Sequence, residues 1–194
     1  MTFQKSLIDK YDSVLRQFNM PNYKLLYPPL SEIEIINILN KLKITETGFL
    51  DLYSWKNGFD IDNDVHIRCQ INLCGAFQAL ESVFETWKVS VEDSIWNESF
   101  IPILTEGDGE YILFNNEPGN NNGKFYFYSA SLLFIEPISY YDSITTLFET
   151  EIEAYQSGAI QYDPNDNWLN IDLKKYKAIG AKHNPGSNYW TFKR

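Results

Sequence analysis

The apolar residues of this 194-residue chain change their period twice, and that change restricts the fold more than any single motif does. Up to about residue 87 they recur at three- and four-residue steps, the spacing that lines one face of a helix. Between 100 and 137 they gather in short runs, SFIPILTEGDGEYILFN and KFYFYSASLLFIEPI, broken by glycine and polar clusters, which is the pattern of strands joined by turns. Helical spacing then returns from 142 to 156. Helices, antiparallel strands and helices again predict an α+β chain, a central antiparallel sheet flanked by helices.

Local signals place the elements. Phe3, Leu7, Ile8, Tyr11, Val14, Leu15 and Phe18 share one helical face that ends before Pro21. After the linker NYKLLYPPL, Ser31 and Glu34 form an S-x-x-E capping box, and Leu30 is placed to staple against Ile35. GFLDLYSWKNG predicts a short helix with Gly58 at its C-terminal cap, and Trp55 as a buried anchor. A loop running into a strand follows in FDIDNDVHIRCQI. A third helix is predicted over 76–87 and a hairpin over 100–115. NNEPGNNNG is an exposed loop, and one or two further strands follow, Pro137 ending the second. The helix over 142–156 starts from Asp142 or Ser143. A last one, over 171–181, follows the turn-rich QYDPNDNW and leads into an extended tail.

Thirteen Tyr, thirteen Phe and five Trp predict an aromatic core. Two cysteines, Cys69 and Cys74, are too few for a secreted disulfide scaffold and read as free thiols. The first residues lack the apolar run of a signal peptide, so a cytoplasmic protein is expected. The net charge of -10 repels phosphate backbones, which argues against direct nucleic-acid binding, and would attract a basic protein partner.

Candidate chemistry is sparse. His66 and His183 sit in no nucleophile-elbow or cysteine-protease context. An EF-hand loop starting at Asp60 would need Gly at its sixth position and Glu at its twelfth, where Val65 and Ile71 stand. Gly107-Asp108-Gly109-Glu110 lacks the lysine and the spacing of a phosphate loop and reads as a hairpin turn. The run Phe125-Tyr126-Phe127-Tyr128 could stack bases, yet only Lys124 accompanies it, so packing on alternate faces of a strand is the simpler reading. No catalytic residues, metal or cofactor are expected.

The order of these features resembles the SUKH superfamily, which includes yeast cell-wall-assembly regulator proteins and bacterial immunity proteins of polymorphic toxin systems. Pro28, Pro29 and Ser31 look like the family's turn and cap. Trp55, Asn57 and Gly58 are similar to its helix ending in Asn-Gly. Ile101 and Pro102, with Gly107, Asp108 and Gly109, look like its I-P strand and Gly-Asp turn. The resemblance covers about residues 28–157, with a helical extension over 1–27 and another over 158–194 packed on the same domain. It implies a non-catalytic α+β binding module that, in the bacterial members, neutralises a toxin by binding it; the alternative is a regulatory scaffold of the same superfamily. A cognate toxin, basic and of nuclease type, is the expected partner. Asp60, Asp62 and Asp64, Glu106 and Asp108 at the hairpin turn, and Tyr140 and Tyr141 are the candidate contacts, because they offer acid and aromatic groups at predicted element ends.

Overall fold

In chain order the elements are α1 (Phe3–Gln17), a 3-10 turn (Pro21–Leu25), α2 (Glu32–Lys41), α3 (Gly48–Trp55), β1 (Ala76–Phe77), α4 (Leu80–Glu92), β2 (Phe100–Thr105), β3 (Glu110–Asn115), β4 (Phe125–Ser129), β5 (Ile138–Tyr141), α5 (Ile144–Gln156), β6 (Ile160–Asp163), β7 (Trp168–Ile171), α6 (Leu173–His183) and α7 (Asn188–Thr191). The computed structural model describes residues 3–18, 20–59, 76–105, 109–130, 136–165 and 168–191. Five strands form an antiparallel sheet in the order β1-β2-β3-β4-β5, and β6 pairs with β7 in a separate hairpin. The fold is α+β.

Period-two alternation gives the sheet two different faces. The register pairs Ile101 with Phe114, Phe114 with Phe125, and Ile112 with Phe127, so these side chains share the face turned to the core. Pro102, Leu113, Tyr126, Tyr111 and Tyr128 fall on the opposite face. Helices cover the first face. Phe49 of α3 meets Phe114 edge-on at 4.7 Å, α1 packs on α3 and α5, and Tyr11 meets Phe148 at 5.4 Å. Phe49, Phe114 and Tyr11 are buried to 2 % exposure or less, and each such aromatic contributes about 2–3 kcal/mol by burial.

The helix starts follow the sequence. Ser31 Oγ accepts from the Glu34 N–H while the Ser31 N–H donates to Glu34 Oε2 at 2.9 Å, the capping box predicted for α2. Ser143, the second of the two candidate caps, closes a box with Thr146 at α5.

Three expectations are corrected. Gly58 does not cap α3: the helix ends at Trp55 because Lys56 is extended, and Gly58, at φ +68, brings the chain against β1. The helix predicted from 76 begins only at Leu80 and runs on to Glu92, since Ala76 and Phe77 are taken up by pairing with Thr105 and Leu104. Pro137 directly precedes strand β5, and the strand it is expected to end falls on residues 131–135, outside the described residues. Within QYDPNDNW, residues 161–163 belong to β6 and Trp168 opens its partner β7, and the expected extended tail contains the short helix α7. Strands of four residues are too short to show alternation against a turn-rich background.

Candidate functional site

Four of the residues that carry the resemblance, Asn57, Gly58, Pro102 and Gly109, hold structural positions. Asn57 is buried and works at a distance: its Oδ1 accepts from the Leu80 N–H at 2.9 Å, and its Nδ2 donates to Glu81 Oε2 at 3.0 Å. Ala79, the residue before α4, has no capping side chain, so Asn57 supplies the cap from another element. A Cβ on Gly58 would lie 2.6 Å from the Phe77 carbonyl oxygen and closer still to the Gln78 carbonyl group. Pro102 sits beside the bulge between Pro102 and Leu104, and its carbonyl accepts from Gln78 Nε2 at 2.8 Å beyond the end of short β1. Gly109 takes φ +78 at the start of β3.

Trp55 is half-buried, not the buried anchor expected. Its indole N–H donates to Asp12 Oδ1 at 2.7 Å, and the Tyr23 hydroxyl donates to the same oxygen at 2.5 Å. Arg16 holds the other carboxylate oxygen at 2.6 Å. Partial burial opposes ionisation of Asp12, but the bonds from Tyr23, Arg16 and Trp55 outweigh it and hold the carboxyl below its usual range. One aspartate thus ties α1, the 3-10 turn and α3 together. Trp55 also lines an apolar cavity of about 30 Å³ with Tyr11, Phe49, Leu52, Phe77 and Phe148. A void with that lining offers water no partners.

Of the candidate contacts, Asp60, Asp62, Asp64, Glu106 and Asp108 lie outside the described residues, as do His66, Cys69, Cys74 and Gly107. Tyr140 and Tyr141 are corrected, since both have zero exposure. A bulge in the β4-β5 pairing, where Phe125 faces Tyr141 but Tyr126 faces Ser139, leaves Tyr140 as the extra residue. The C-terminal segment then covers it. Trp190 donates to the Tyr140 carbonyl at 2.5 Å, and its ring lies tilted 4.7 Å from the Tyr140 ring. Ser187 donates to the Ser139 carbonyl at 2.7 Å, and Gly180 lets the Trp190 ring approach α6. Asn184, fully buried, accepts from the Asp142 N–H at 3.0 Å and donates to Thr150 Oγ1.

Beside Tyr141 lies an acid that the sequence reading did not single out. Glu151 of α5 has zero exposure; Tyr141 and Tyr176 donate to its Oε1 at 2.9 and 2.6 Å, while Oε2 has no hydrogen-bond partner. Burial pushes its carboxyl up to about 7 despite the two tyrosine hydroxyls. On the surface of the same helix, Glu153 accepts from Lys182 at 2.5 Å and pairs with His183 at 2.7 Å, so His183 serves in α5-α6 packing. Among the described residues no group of three or more His, Cys, Asp or Glu side chains could hold a metal ion. No helix there is long and apolar enough to cross a membrane.

The second face of the sheet is where half-buried side chains with binding chemistry converge. Phe125 and Phe127 point into the core, while Tyr126 and Tyr128 stand on the other face with Tyr111 of β3. Trp96, on the segment between α4 and β2, meets Tyr111 and Tyr128 edge-on at 5.2 and 5.3 Å. Phe100 meets Tyr126 at 5.3 Å, and Leu113 is completely buried beneath this layer. Trp96 is 8 % exposed and its indole N–H has no acceptor. Burial lifts the Tyr126 hydroxyl, the Asn115 bond opposes that, and the charges of Glu117 and Asp142 add to the rise. The FYFY run signalled this face through its alternation; Trp96 and Tyr111 come from segments that no motif joins to it. No protein-family model matches the chain, and no curated protein matches it.

Proposed function

We propose that this is an immunity protein that binds and neutralises a cognate polymorphic toxin, the partner being a basic, nuclease-type toxin domain. The observation that carries the reading is the charge: 26 acidic against 16 basic residues give -10, a field that would draw a phosphate-binding protein toward this one and speed encounter. The ordered resemblance to the SUKH superfamily supplies the class of activity. An acidic binder competes with nucleic acid for the same basic groove, so one contact surface suffices to block the enzyme.

Neutralisation is tested by co-expressing the chain with the toxin domain encoded beside it. Cells carrying both should survive where cells with the toxin alone do not, and equal killing in the two strains would remove the proposal. Binding measured across a salt series should weaken as ions screen the attraction, mainly through the association rate.

A further inference from the structure

Resting on that reading, we infer that the toxin docks on the outer face of the sheet, with Tyr111, Tyr126 and Tyr128 as anchors around Trp96. Three observations converge on this face. First, its ring layer stands apart from the main core: none of these four side chains belongs to the apolar cluster between sheet and helices. The three tyrosines keep part of their surface in water on the β3 and β4 strands, a rigid platform joined by five register pairs. Rigid tyrosine and tryptophan side chains bury large areas at low entropic cost, which is why they dominate binding energy at protein interfaces.

Second, Trp96 holds an N–H donor that is shut away from water and finds no acceptor. A buried donor of this kind is costly in the free protein. A carbonyl or carboxylate delivered by a partner would satisfy it after a small rotation of the flanking rings, and side-chain rotations of that size are common on binding.

Third, the surroundings favour a basic occupant. Glu92 ends α4 and Asp93 opens the segment carrying Trp96, both exposed, and Glu117 is exposed beyond β3 and acts on Tyr126. Lys43 is balanced by Glu98 at 3.4 Å, and Lys124, which donates to Asn121, leaves the acidic groups Glu92, Asp93 and Glu117 in excess. An acidic rim around an aromatic centre complements a basic surface with apolar or planar side chains, arginine above all.

The competing surface is the outward side of α2, where Ile33 is 73 % and Ile36 41 % exposed. Its aliphatic pair lies beside Glu32 and Glu34, but it offers no aromatic anchor and no unpartnered donor.

The test uses the full chain and a catalytically inactivated form of the toxin domain from the neighbouring gene as probe. The double variant Tyr126→Ala/Tyr128→Ala should weaken binding by about 30-fold or more, as expected for loss of central anchors. Ile33→Ser/Ile36→Ser should leave binding within about threefold of the unchanged protein, as residues outside the contact do. Because a tyrosine variant could disturb the sheet, hydroxyl-radical footprinting of the unchanged protein provides a second reading: Tyr111, Tyr126 and Tyr128 should be protected by the probe. Tight binding that ignores the tyrosine variants and leaves those rings unprotected overturns the docking face while leaving the immunity function standing. Absence of binding by the unchanged protein overturns both.

Discussion

Replacing Glu151 by glutamine should flatten the dependence of stability on pH between about pH 5 and about pH 8. The carboxyl has an ordinary value of 4.5 and is pushed up to about 7 by complete burial, the bonds from Tyr176 and Tyr141 only partly offsetting that. Between those two values the folded protein holds a proton that the unfolded chain releases. Stability from this group is therefore fully present below the unfolded value and is lost as pH rises through the folded one. The interval is about 2.5 units, and at 1.36 kcal/mol per unit it amounts to roughly 3 kcal/mol, a large share of a typical domain's stability. Asp12, Glu34 and Glu153 have the opposite sign, their carboxyls being held low, so their stabilisation is lost only on acidification and lies outside this window. In Glu151→Gln the amide oxygen can still accept from both tyrosines, but its nitrogen takes the place of the unpartnered Oε2, at a cost of about 1–3 kcal/mol. The variant should thus be the less stable protein near pH 5 and should match or exceed the unchanged one near pH 8, read by urea unfolding with a common slope. Two stability curves that stay parallel across that range would refute the reasoning, because they would show that Glu151 does not titrate there.

Gly58→Ala should destabilise by more than about 2 kcal/mol, since it adds a left-handed backbone penalty to overlap with the Phe77 and Gln78 carbonyls; Gly109→Ala, whose Cβ would meet Ala130 at an ordinary 3.6 Å, should cost only about 1 kcal/mol. Thermal unfolding of the pair separates steric from conformational cost. Asn57→Ala removes the remote cap and the bond to Glu81 together, with an expected loss of about 1–3 kcal/mol by chemical denaturation. In Gly180→Ala the new Cβ would come within 2.7 Å of Trp190 Cε2 and closer to neighbouring ring atoms, so the C-terminal helix should be displaced from β5. Proteolysis near residue 188 should then outpace global unfolding; an unchanged cleavage pattern would show that α6 yields instead.

The sequence revealed most where one element carries its own instructions. α2 and α5 bring their caps and apolar stripes within a single stretch of chain, and the central hairpin brings two apolar runs and a glycine turn. Misreadings arose where a segment's conformation is set by something far away. Ala76 and Phe77 read as the first turn of a helix, but pairing with β2 claims them, and Asn57, twenty-three residues before Leu80, fixes where the helix begins. Tyr140 and Tyr141 read as surface anchors because aromatic residues at a strand end often are. Their burial depends on Trp190, some fifty residues later, which no local pattern links to them. Glu151 stayed hidden for the same reason: on a helix face of Phe148, Ile152 and Tyr155 a lone acid looks misplaced until Tyr141 and Tyr176 arrive from two other elements.

Among the described residues, several positions that carry the resemblance hold the scaffold. Ser31 and Glu34 close a cap, Asn57 starts α4, Gly58 permits a close approach of two backbones, and the Pro102 carbonyl accepts from the Gln78 side chain beyond β1. Tyr111, Tyr126 and Tyr128 fall within the resembling stretches EGDGEYILF and GKFYFYS as well, yet they stand on the outer face of the sheet, while Trp96 lies outside those stretches. The strand pairing fixes where the three tyrosines stand, while their outward side chains bear little on the core beneath. The tyrosines are half-buried in a layer with Trp96 and Leu113, so a substitution among them acts first on this ring layer and not on the helix-packed core.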